Sequence, residues 1–344
     1  MSQRVTFDEL YRRSTQYRKW SFTKEELLNK RIQINSKGCA KVDERLNQLK
    51  DQIEPNSIEK VTIDEELKLI SFHSRRIGML AKHFNMPSQV RATAISFLRK
   101  FYLVNSVMEY HPKLVLLTCL FLAAKSENYF ISINSFSKRI PKTTPESILS
   151  LEFEILQSLE FTLLTHHPFR PLYGFFFDLQ DVLKDEMKPN ELGKIYDDAR
   201  KLIDEALISD AVYHFTPPQI ALACLKEINN DIILKYLSKK FKPNKLDTVK
   251  EKDEEDDDEQ NETIKPTIEN ELTQSMYEKI VATVEECQKF IRNGENPTKE
   301  QATEIDRKVQ YCLNPSLILK RKRENTTDIN GDSNGIKKQK TDSI

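Results

Sequence analysis

Two charged residues interrupt apolar segments and are the first candidates for a functional site. Lys125 closes the longest apolar run of the chain, Leu114 to Ala124, and Glu152 lies on an otherwise apolar helical stripe. The stripe contains Ile148, Ile155 and Leu159. Because an unpaired charge in apolar surroundings is costly, we expect the ammonium of Lys125 and the carboxylate of Glu152 to meet. Such a pair is either a structural salt bridge or a charged rim with hydrogen-bonding capacity left for a partner, and the pattern leaves both open.

The other residues that could act as nucleophiles, bases or metal ligands form no known motif. The six histidines make no His-Glu-x-x-His sequence, and none lies beside a Gly-x-Ser-x-Gly elbow. The adjacent His166 and His167 point apart and have no evident third ligand nearby. The five cysteines are odd in number and lack Cys-x-x-Cys spacing, which favours a reducing compartment over a zinc site or a disulfide framework. We therefore expect no catalytic residue, no metal site and no cofactor.

Composition favours a soluble helical protein. Only 7 of the 344 residues are Gly, too few for the tight turns of most all-β folds. Lys+Arg and Asp+Glu each number 53, and this zero net charge argues against nucleic acid as the main partner. The longest apolar run is too short to cross a bilayer, and the N-terminus lacks the apolar core of a secretory signal, so we expect no membrane partner.

The two elements before residue 102 are predicted to be amphipathic helices. Asp64 is suited to cap the first, which runs to about His83. The second carries an apolar stripe with the 3.6-residue period of a helix. The stripe consists of Val90, Ala94, Phe97, Leu98 and Phe101.

The third predicted helix is the one that Lys125 closes. His111-Pro112 opens it, with Pro at the first helical position. A helix that is apolar on every side must be buried on every side, so other elements have to surround it. A short helix is predicted over about 132–139, and Thr144-Pro145 starts another that runs to about Leu159.

A second set of helices follows these. The predicted ranges are about 171–184, 190–209, 217–229, 231–241, 268–293 and 298–313. Residues 250–259 form an acidic block that repels itself, which is typical of a disordered insert within a loop.

An internal repeat relates the two sets. "SVMEYHPKLVLLTCLFLAAK" (106–125) resembles "DAVYHFTPPQIALACLKEIN" (210–229) at an offset close to 105 residues. One five-helix unit therefore occurs twice, each copy built around a buried third helix. The position 105 residues after Lys125 is Asn230, so we expect the second repeat to lack the charged pair.

Aromatic residues cluster near the N-terminus in basic surroundings. They are Tyr11, Tyr17, Trp20 and Phe22. We favour packing of these side chains on the body of the protein over a direct ligand site.

Several segments resemble the cyclin family. "LAAKSENYF" (122–130) and "LEFEILQSLEFTL" (151–163) are similar to parts of the cyclin box, and three longer segments are similar to the H branch of the family. These are "RKFYLVNSVMEYHPKLVLLTCLFLAAK" (99–125), "HHPFRPLYGFFFDLQ" (166–180) and "ISDAVYHFTPPQIAL" (208–222). The resemblance implies an all-α fold of two tandem five-helix cyclin-box repeats with flanking N- and C-terminal helices. The expected boundaries are an extension at 1–60, repeats at 61–164 and 165–293, a C-terminal helix at 294–319 and a disordered basic tail at 320–344.

The resemblance also implies a function. Members of the H branch are regulatory subunits, not catalysts. They bind the cyclin-dependent kinase of general transcription factor H and act with a RING-finger assembly factor and the core of that factor. The kinase phosphorylates the C-terminal repeat domain of RNA polymerase II and in many organisms activates other cyclin-dependent kinases. Lys125 and Glu152 match the family's Lys and Glu that bond the kinase backbone, and Leu122, Phe161 and Leu163 match its apolar contacts.

The chain departs from the pattern of cell-cycle cyclins. The Arg-Ala-Ile-Leu-type patch of the first helix, which docks substrates, is absent from "ELKLISFHSRRIGMLAKHF" (66–84), so docking of Arg-x-Leu substrates is not expected. Arg99 or Lys100 replaces the usual Asp near the end of the second helix.

One alternative is a DNA-binding protein, because transcription factor B-type proteins also contain two cyclin-like repeats. The zero net charge argues against it. The densest basic cluster lies in the tail, at Lys320, Arg321, Lys322 and Arg323. The resemblance favours a nuclear localisation signal there over a merely solvated tail, and hence a nuclear protein.

Overall fold

The computed structural model describes residues 7–54, 57–184, 186–241 and 268–319. The acidic block and the basic cluster at 320–323 lie outside them. All regular structure in the described residues is helical. The helices are α1 (Phe7–Arg13), α2 (Thr15–Trp20), α3 (Lys24–Asn47), α4 (Ile63–His83), α5 (Ser88–Phe101), α6 (Pro112–Ser126), α7 (Ile133–Lys138), α8 (Pro145–Leu149), α9 (Glu152–Ser158), α10 (Phe169–Val182), α11 (Pro189–Ala206), α12 (Ala211–His214), α13 (Pro217–Ile228), α14 (Asn230–Phe241), α15 (Ile268–Arg292) and α16 (Lys299–Leu313).

The chain divides into two compact units, each containing one repeat. The first-repeat unit holds residues 24–163 together with the described residues from 295 onward, and the second-repeat unit holds residues up to 23 together with 164–294. The N-terminal extension expected as one segment at 1–60 is thus shared between the two units. The C-terminal helix α16 belongs to the first-repeat unit.

The first-repeat unit is built around α6. His111 caps this helix by accepting the backbone N–H of Lys113 at 3.1 Å, and Pro112 occupies the first turn. Every side chain from 115 to 124 is buried, as the all-round apolar sequence predicts. Helices α4, α5, α8 and α9 pack around it and exclude water from all its faces.

Two helix boundaries differ from the sequence prediction. Thr62, not Asp64, caps α4, because Thr62 and Glu65 form a reciprocal capping box. The helix expected over 145–159 is divided into α8 and α9. The carbonyl of Ile148, four residues before Glu152, accepts the hydroxyl of Thr118 at 2.9 Å. This bond from α6 satisfies the end of α8 and lets a new helix begin at Glu152.

The helix α16 is bound to the first repeat by charged side chains. Arg45 donates to the carbonyl oxygens of Met108, at 2.8 Å, and Cys312, at 3.1 Å. His111 Nε2 lies 3.1 Å from Asp306 Oδ1. These bonds make the C-terminal helix a structural part of the first-repeat unit.

The second-repeat unit is built around α13 in the same way. Thr216 forms a capping box with Gln219, Pro217 occupies the first turn, and α10, α11, α14 and α15 pack around the helix. The N-terminal aromatic cluster packs on this unit. Trp20 is buried, and the backbone N–H of Phe22 donates to the carbonyl of Tyr213 at 2.9 Å. This arrangement agrees with the packing interpretation of the cluster.

Candidate functional site

The structure brings Lys125 and Glu152 together, as the sequence predicts. Lys125 lies in the last turn of α6, and its Nζ atom bonds Oε1 of Glu152. Glu152 is the first residue of α9, where the positive end of the helix dipole stabilises a carboxylate. The ammonium of Lys125 also lies 5.1 Å from the ring centroid of Phe121, within cation–π range. The ammonium is therefore held by two contacts, and the helix dipole stabilises the carboxylate that it bonds.

The charged pair remains open to solvent. The Lys125 side chain is 46% exposed and that of Glu152 is 18% exposed. Partial burial lowers the pKa of Lys125. An ammonium has three donors and a carboxylate about four acceptor positions, and the bond between them uses only one of each. The pair can therefore donate to a backbone carbonyl and accept from a backbone N–H of a bound protein.

The three apolar residues expected beside the pair are not equally accessible. Phe161 is 62% exposed and Leu163 is half-buried, but Leu122 is only 4% exposed. Glu160 and Phe161 both have positive φ, 50° and 56°. Residues other than Gly adopt this left-handed conformation at a cost, and such strain is often retained at binding sites. The turn projects Phe161 into solvent, whereas Leu122 contributes to the core beneath the site.

Sequence reasoning missed a fourth apolar residue, Phe153. Its ring is 67% exposed and meets the ring of Phe161 edge-on, with 6.4 Å between the centroids. A signal was present in the sequence. Phe153 lies between two glutamates, Glu152 and Glu154, and off the core-facing stripe of α9, so a folded helix had to expose it.

The second repeat also holds a Lys–Glu pair, which the sequence comparison did not predict. Lys226 of α13 lies 3.1 Å from Glu285 Oε1 and 3.5 Å from Gln288 Oε1 of α15. It occurs one helical turn before Asn230, the position equivalent to Lys125. Because α13 already ends at Ile228, Asn230 lies in the next helix and cannot take the place of Lys125.

The burial of this second pair is opposite to that of the first. The Lys226 side chain is 6% exposed and that of Glu285 is 52% exposed. The ammonium is thus enclosed, and the carboxylate faces solvent. Gln288 in turn donates to Glu227 at 2.8 Å, so the buried amide is bonded on both sides. The position equivalent to Lys125 thus holds no Lys–Glu pair, as the sequence comparison predicts, and the unpredicted pair one turn earlier has no donor facing outward.

The described residues contain no group of three or more His, Cys, Asp or Glu side chains placed to hold a metal ion. None of the helices in the described ranges has the length and apolarity needed to cross a bilayer. His166 and His167 are used structurally in different ways. The backbone of His166 exchanges hydrogen bonds with the side-chain amide of Gln16, while the His167 side chain is buried.

Comparisons with known proteins agree with this architecture. The model for the cyclin N-terminal domain matches residues 47–164, and the model for the cyclin C-terminal domain matches residues 167–292. Cyclin CCL1 of Saccharomyces cerevisiae is 38% identical, over 98% of this chain and 90% of that protein. A putative cyclin-H of Dictyostelium discoideum is 36% identical, over 62% of this chain and 74% of that protein.

A solved structure is also similar to the chain. It is a chain of the yeast TFIIK complex of Kin28, Ccl1 and Tfb3, determined by cryo-electron microscopy. The sequences are 38% identical, and the match covers 82% of this chain and all of the other, with a TM-score of 0.62.

Proposed function

The chain belongs to the cyclin family, in its fungal cyclin H branch, and we propose that it binds and activates a cyclin-dependent kinase as its regulatory subunit. The open Lys125–Glu152 pair is the observation that carries this proposal. It is held by α6 and α9, the helices on which the family presents its kinase contacts. The chain itself supplies no catalytic group, and the kinase subunit performs the reaction.

Activation follows from the relative affinity for two kinase conformations. A protein kinase is active when the Lys of its strand β3 pairs with the Glu of helix αC and its activation loop is ordered. A partner that binds the αC-in conformation more tightly shifts the kinase population toward it. Lys125 and Glu152 bond backbone groups at αC, and Phe161 and Leu163 contact its apolar side. Leu122 supports these residues from the core.

The proposal includes the substrate and the larger assembly, by analogy with the cyclin H branch. The complex phosphorylates the C-terminal repeat domain of RNA polymerase II during transcription initiation, and in many organisms complexes of this branch also activate other cyclin-dependent kinases. The yeast relative is part of a complex with Kin28 and Tfb3. By analogy, this chain assembles with a kinase subunit and a RING-finger assembly factor, joins the core of general transcription factor H and acts in the nucleus. Lys320, Arg321, Lys322 and Arg323, outside the described residues, are the nuclear localisation signal.

DNA binding of the transcription factor B type is supported only by the fold. Two cyclin-like repeats occur in both classes of protein, and a shared fold does not establish a shared function. The zero net charge and the acidic member of the candidate pair both favour a protein partner over phosphate groups.

Reconstitution tests the proposal. The purified chain is mixed with its cognate kinase subunit and ATP, and phosphorylation of a polymerase repeat peptide is measured. We expect strong stimulation by the wild-type chain and most of it to be lost with Lys125→Ala or Glu152→Ala. The matched control is Lys41→Ala. Lys41 is 45% exposed and pairs with Glu44 at 2.9 Å, so it reproduces the exposure and the ion pairing of Lys125 elsewhere in the same unit.

If the pair contacts the kinase, Lys125→Ala and Lys41→Ala must differ in the stimulation of kinase activity. Equal stimulation by Lys125→Ala and Lys41→Ala would exclude the proposed role of the pair. A folded wild-type chain that neither binds nor stimulates the kinase would contradict the proposed function itself.

A further inference from the structure

The first-repeat unit exposes two phenylalanine rings that touch each other. These are Phe153 and Phe161, which meet edge-on. Most other phenylalanines of this unit are buried in its core, among them Phe97, Phe101 and Phe136. Two exposed rings in mutual contact form a continuous apolar patch, and such patches on soluble proteins commonly mark binding sites. Aromatic anchors are also the residues that dominate binding energies at protein interfaces.

The backbone fixes the position of both rings. The N–H of Phe161 donates to the carbonyl of Leu156 at 2.9 Å, which holds the left-handed turn closed after α9. Phe153 follows Glu152 directly in the first turn of α9, and Glu152 bonds Lys125. The aromatic pair is therefore anchored to the same short helix as the charged pair. It is a preorganised surface that a partner can bind without ordering a loop.

Selectivity among kinases must come from residues other than the charged pair. In the cyclin pattern the Lys and the Glu bond backbone groups of the kinase, and backbone groups are the same in every kinase, so these contacts do not distinguish one kinase from another. That pattern assigns no kinase contact to Phe153, but it assigns one to the adjacent Glu152. An exposed aromatic ring binds by packing against side chains, and side chains, unlike backbone groups, differ between kinases.

We propose that Phe153 is a specificity-determining contact for the cognate kinase and that it acts with Phe161 as one aromatic anchor. The occupant is an apolar pocket on the kinase beside the backbone groups bonded by Lys125 and Glu152. This inference rests on the proposed function and adds to it a residue that selects the partner.

Binding measurements on single and double variants test the inference. The dissociation constants of the full chain for its cognate kinase and for a cell-cycle kinase are measured with Phe153→Ala, Phe161→Ala and both changes together. We expect Phe153→Ala to weaken binding to the cognate kinase at least tenfold and to alter the weak binding to the other kinase by less than twofold. Because the rings touch, the double variant loses less affinity than the product of the two single losses.

Leu114→Ala is the matched control for exposure of an apolar side chain. Leu114 is an exposed residue near the start of α6, roughly 16 Å along the helix from Lys125 at the usual rise of 1.5 Å per residue. The Leu114→Ala variant should bind the cognate kinase and the cell-cycle kinase with unchanged affinity. Thermal melting of all variants checks that each is folded.

Several results would overturn the inference. Unchanged cognate affinity in Phe153→Ala, alongside a loss in Phe161→Ala, would leave Phe161 as the sole anchor. Equal losses for both kinases would make Phe153 a general contact with no role in selection. Sedimentation velocity distinguishes self-association, since a wild-type dimer that Phe153→Ala dissociates would assign the patch to a second copy of the chain. Absence of kinase binding by the wild-type chain would instead reject the proposed function, and this inference with it.

Discussion

The two repeats each place a Lys–Glu pair between the central helix and the last helix, but they expose opposite partners. In the first repeat the Lys125 ammonium faces solvent and the Glu152 carboxylate is largely covered. In the second repeat the Lys226 ammonium is enclosed and the Glu285 carboxylate is exposed. The same ion pair therefore has two uses. A buried ammonium donates its hydrogen bonds within the repeat, whereas an exposed ammonium can still donate to another protein.

The register of the central helix causes this difference. Lys125 lies in the final turn of α6, beyond the last fully buried residue, Ala124. Lys226 lies two residues before the end of α13, where its neighbours Cys224 and Leu225 are still in the core. Both lysines lie in the last turn of their helix, but in the alignment of the repeats Lys226 falls one turn before Lys125, at the position of the buried Phe121. The comparison predicts that the first pair governs binding and the second governs stability.

The largest effect is expected for Glu152→Lys. The change places two ammonium groups side by side at the site and replaces an acceptor with a like charge, so the affinity for the kinase should fall by about a hundredfold or more. The protein should remain folded, because Lys125 can turn toward solvent and the local cost is on the order of 1 kcal/mol. Titration against the kinase measures the affinity, and thermal melting measures the stability.

Glu44→Lys is the control for this reversal of charge. It makes the same substitution in the exposed Lys41–Glu44 pair and should alter neither quantity appreciably. If Glu152→Lys kept wild-type affinity while remaining folded, the first pair would be structural like the second, and the contrast between the repeats would disappear.

Much of the candidate site could be predicted from the sequence, because the signal is local. Lys125 and Glu152 each break an apolar pattern, and two buried or half-buried charges of opposite sign have few other ways to be satisfied. The start of α6 could be predicted as well, since His111 and Pro112 determine it through local capping.

The features that were missed depend on tertiary contacts. The division between α8 and α9 depends on a hydroxyl from another helix, that of Thr118, which no pattern within 145–159 reveals. A comparison of the repeats at a fixed offset of 105 residues does not find the pair formed by Lys226, because Lys226 lies one helical turn before the position equivalent to Lys125. The contact between Phe153 and Phe161 requires the left-handed turn at 160–161, which a sequence without Gly there does not indicate.

An intermediate effect, on stability alone, is expected for Glu285→Ala. Removal of the carboxylate leaves the enclosed ammonium of Lys226 with only Gln288 at 3.5 Å. Loss of one member of a buried ion pair is strongly destabilising, but the exposure of Glu285 reduces the cost here to about 1–2 kcal/mol. The midpoint of thermal unfolding should therefore fall by a few degrees, while kinase affinity stays within twofold.

The control for this variant is Glu44→Ala, which removes the carboxylate of a fully solvated pair and should leave the melting temperature unchanged. A loss of kinase affinity in Glu285→Ala comparable to that of Glu152→Lys would show that the second repeat also presents a binding pair. The assignment of binding to the first pair and of stability to the second would then be wrong.

The smallest effect is expected for Lys226→Met, which removes the enclosed member of the pair and leaves only the exposed member, Glu285. Methionine has a similar length and no donor to satisfy, so the variant leaves no uncompensated charge in the interior. Glu285 is half in water and tolerates the loss of its partner, whereas Gln288 retains its bond to Glu227. We therefore expect a change in stability of less than about 1 kcal/mol and no change in kinase affinity. The same substitution at Lys125 should leave stability equally unchanged but abolish most of the affinity. If Lys226→Met destabilised the protein more than Glu285→Ala, the enclosed ammonium would be a net stabilising element, and the second pair would be needed for the fold and not merely tolerated by it.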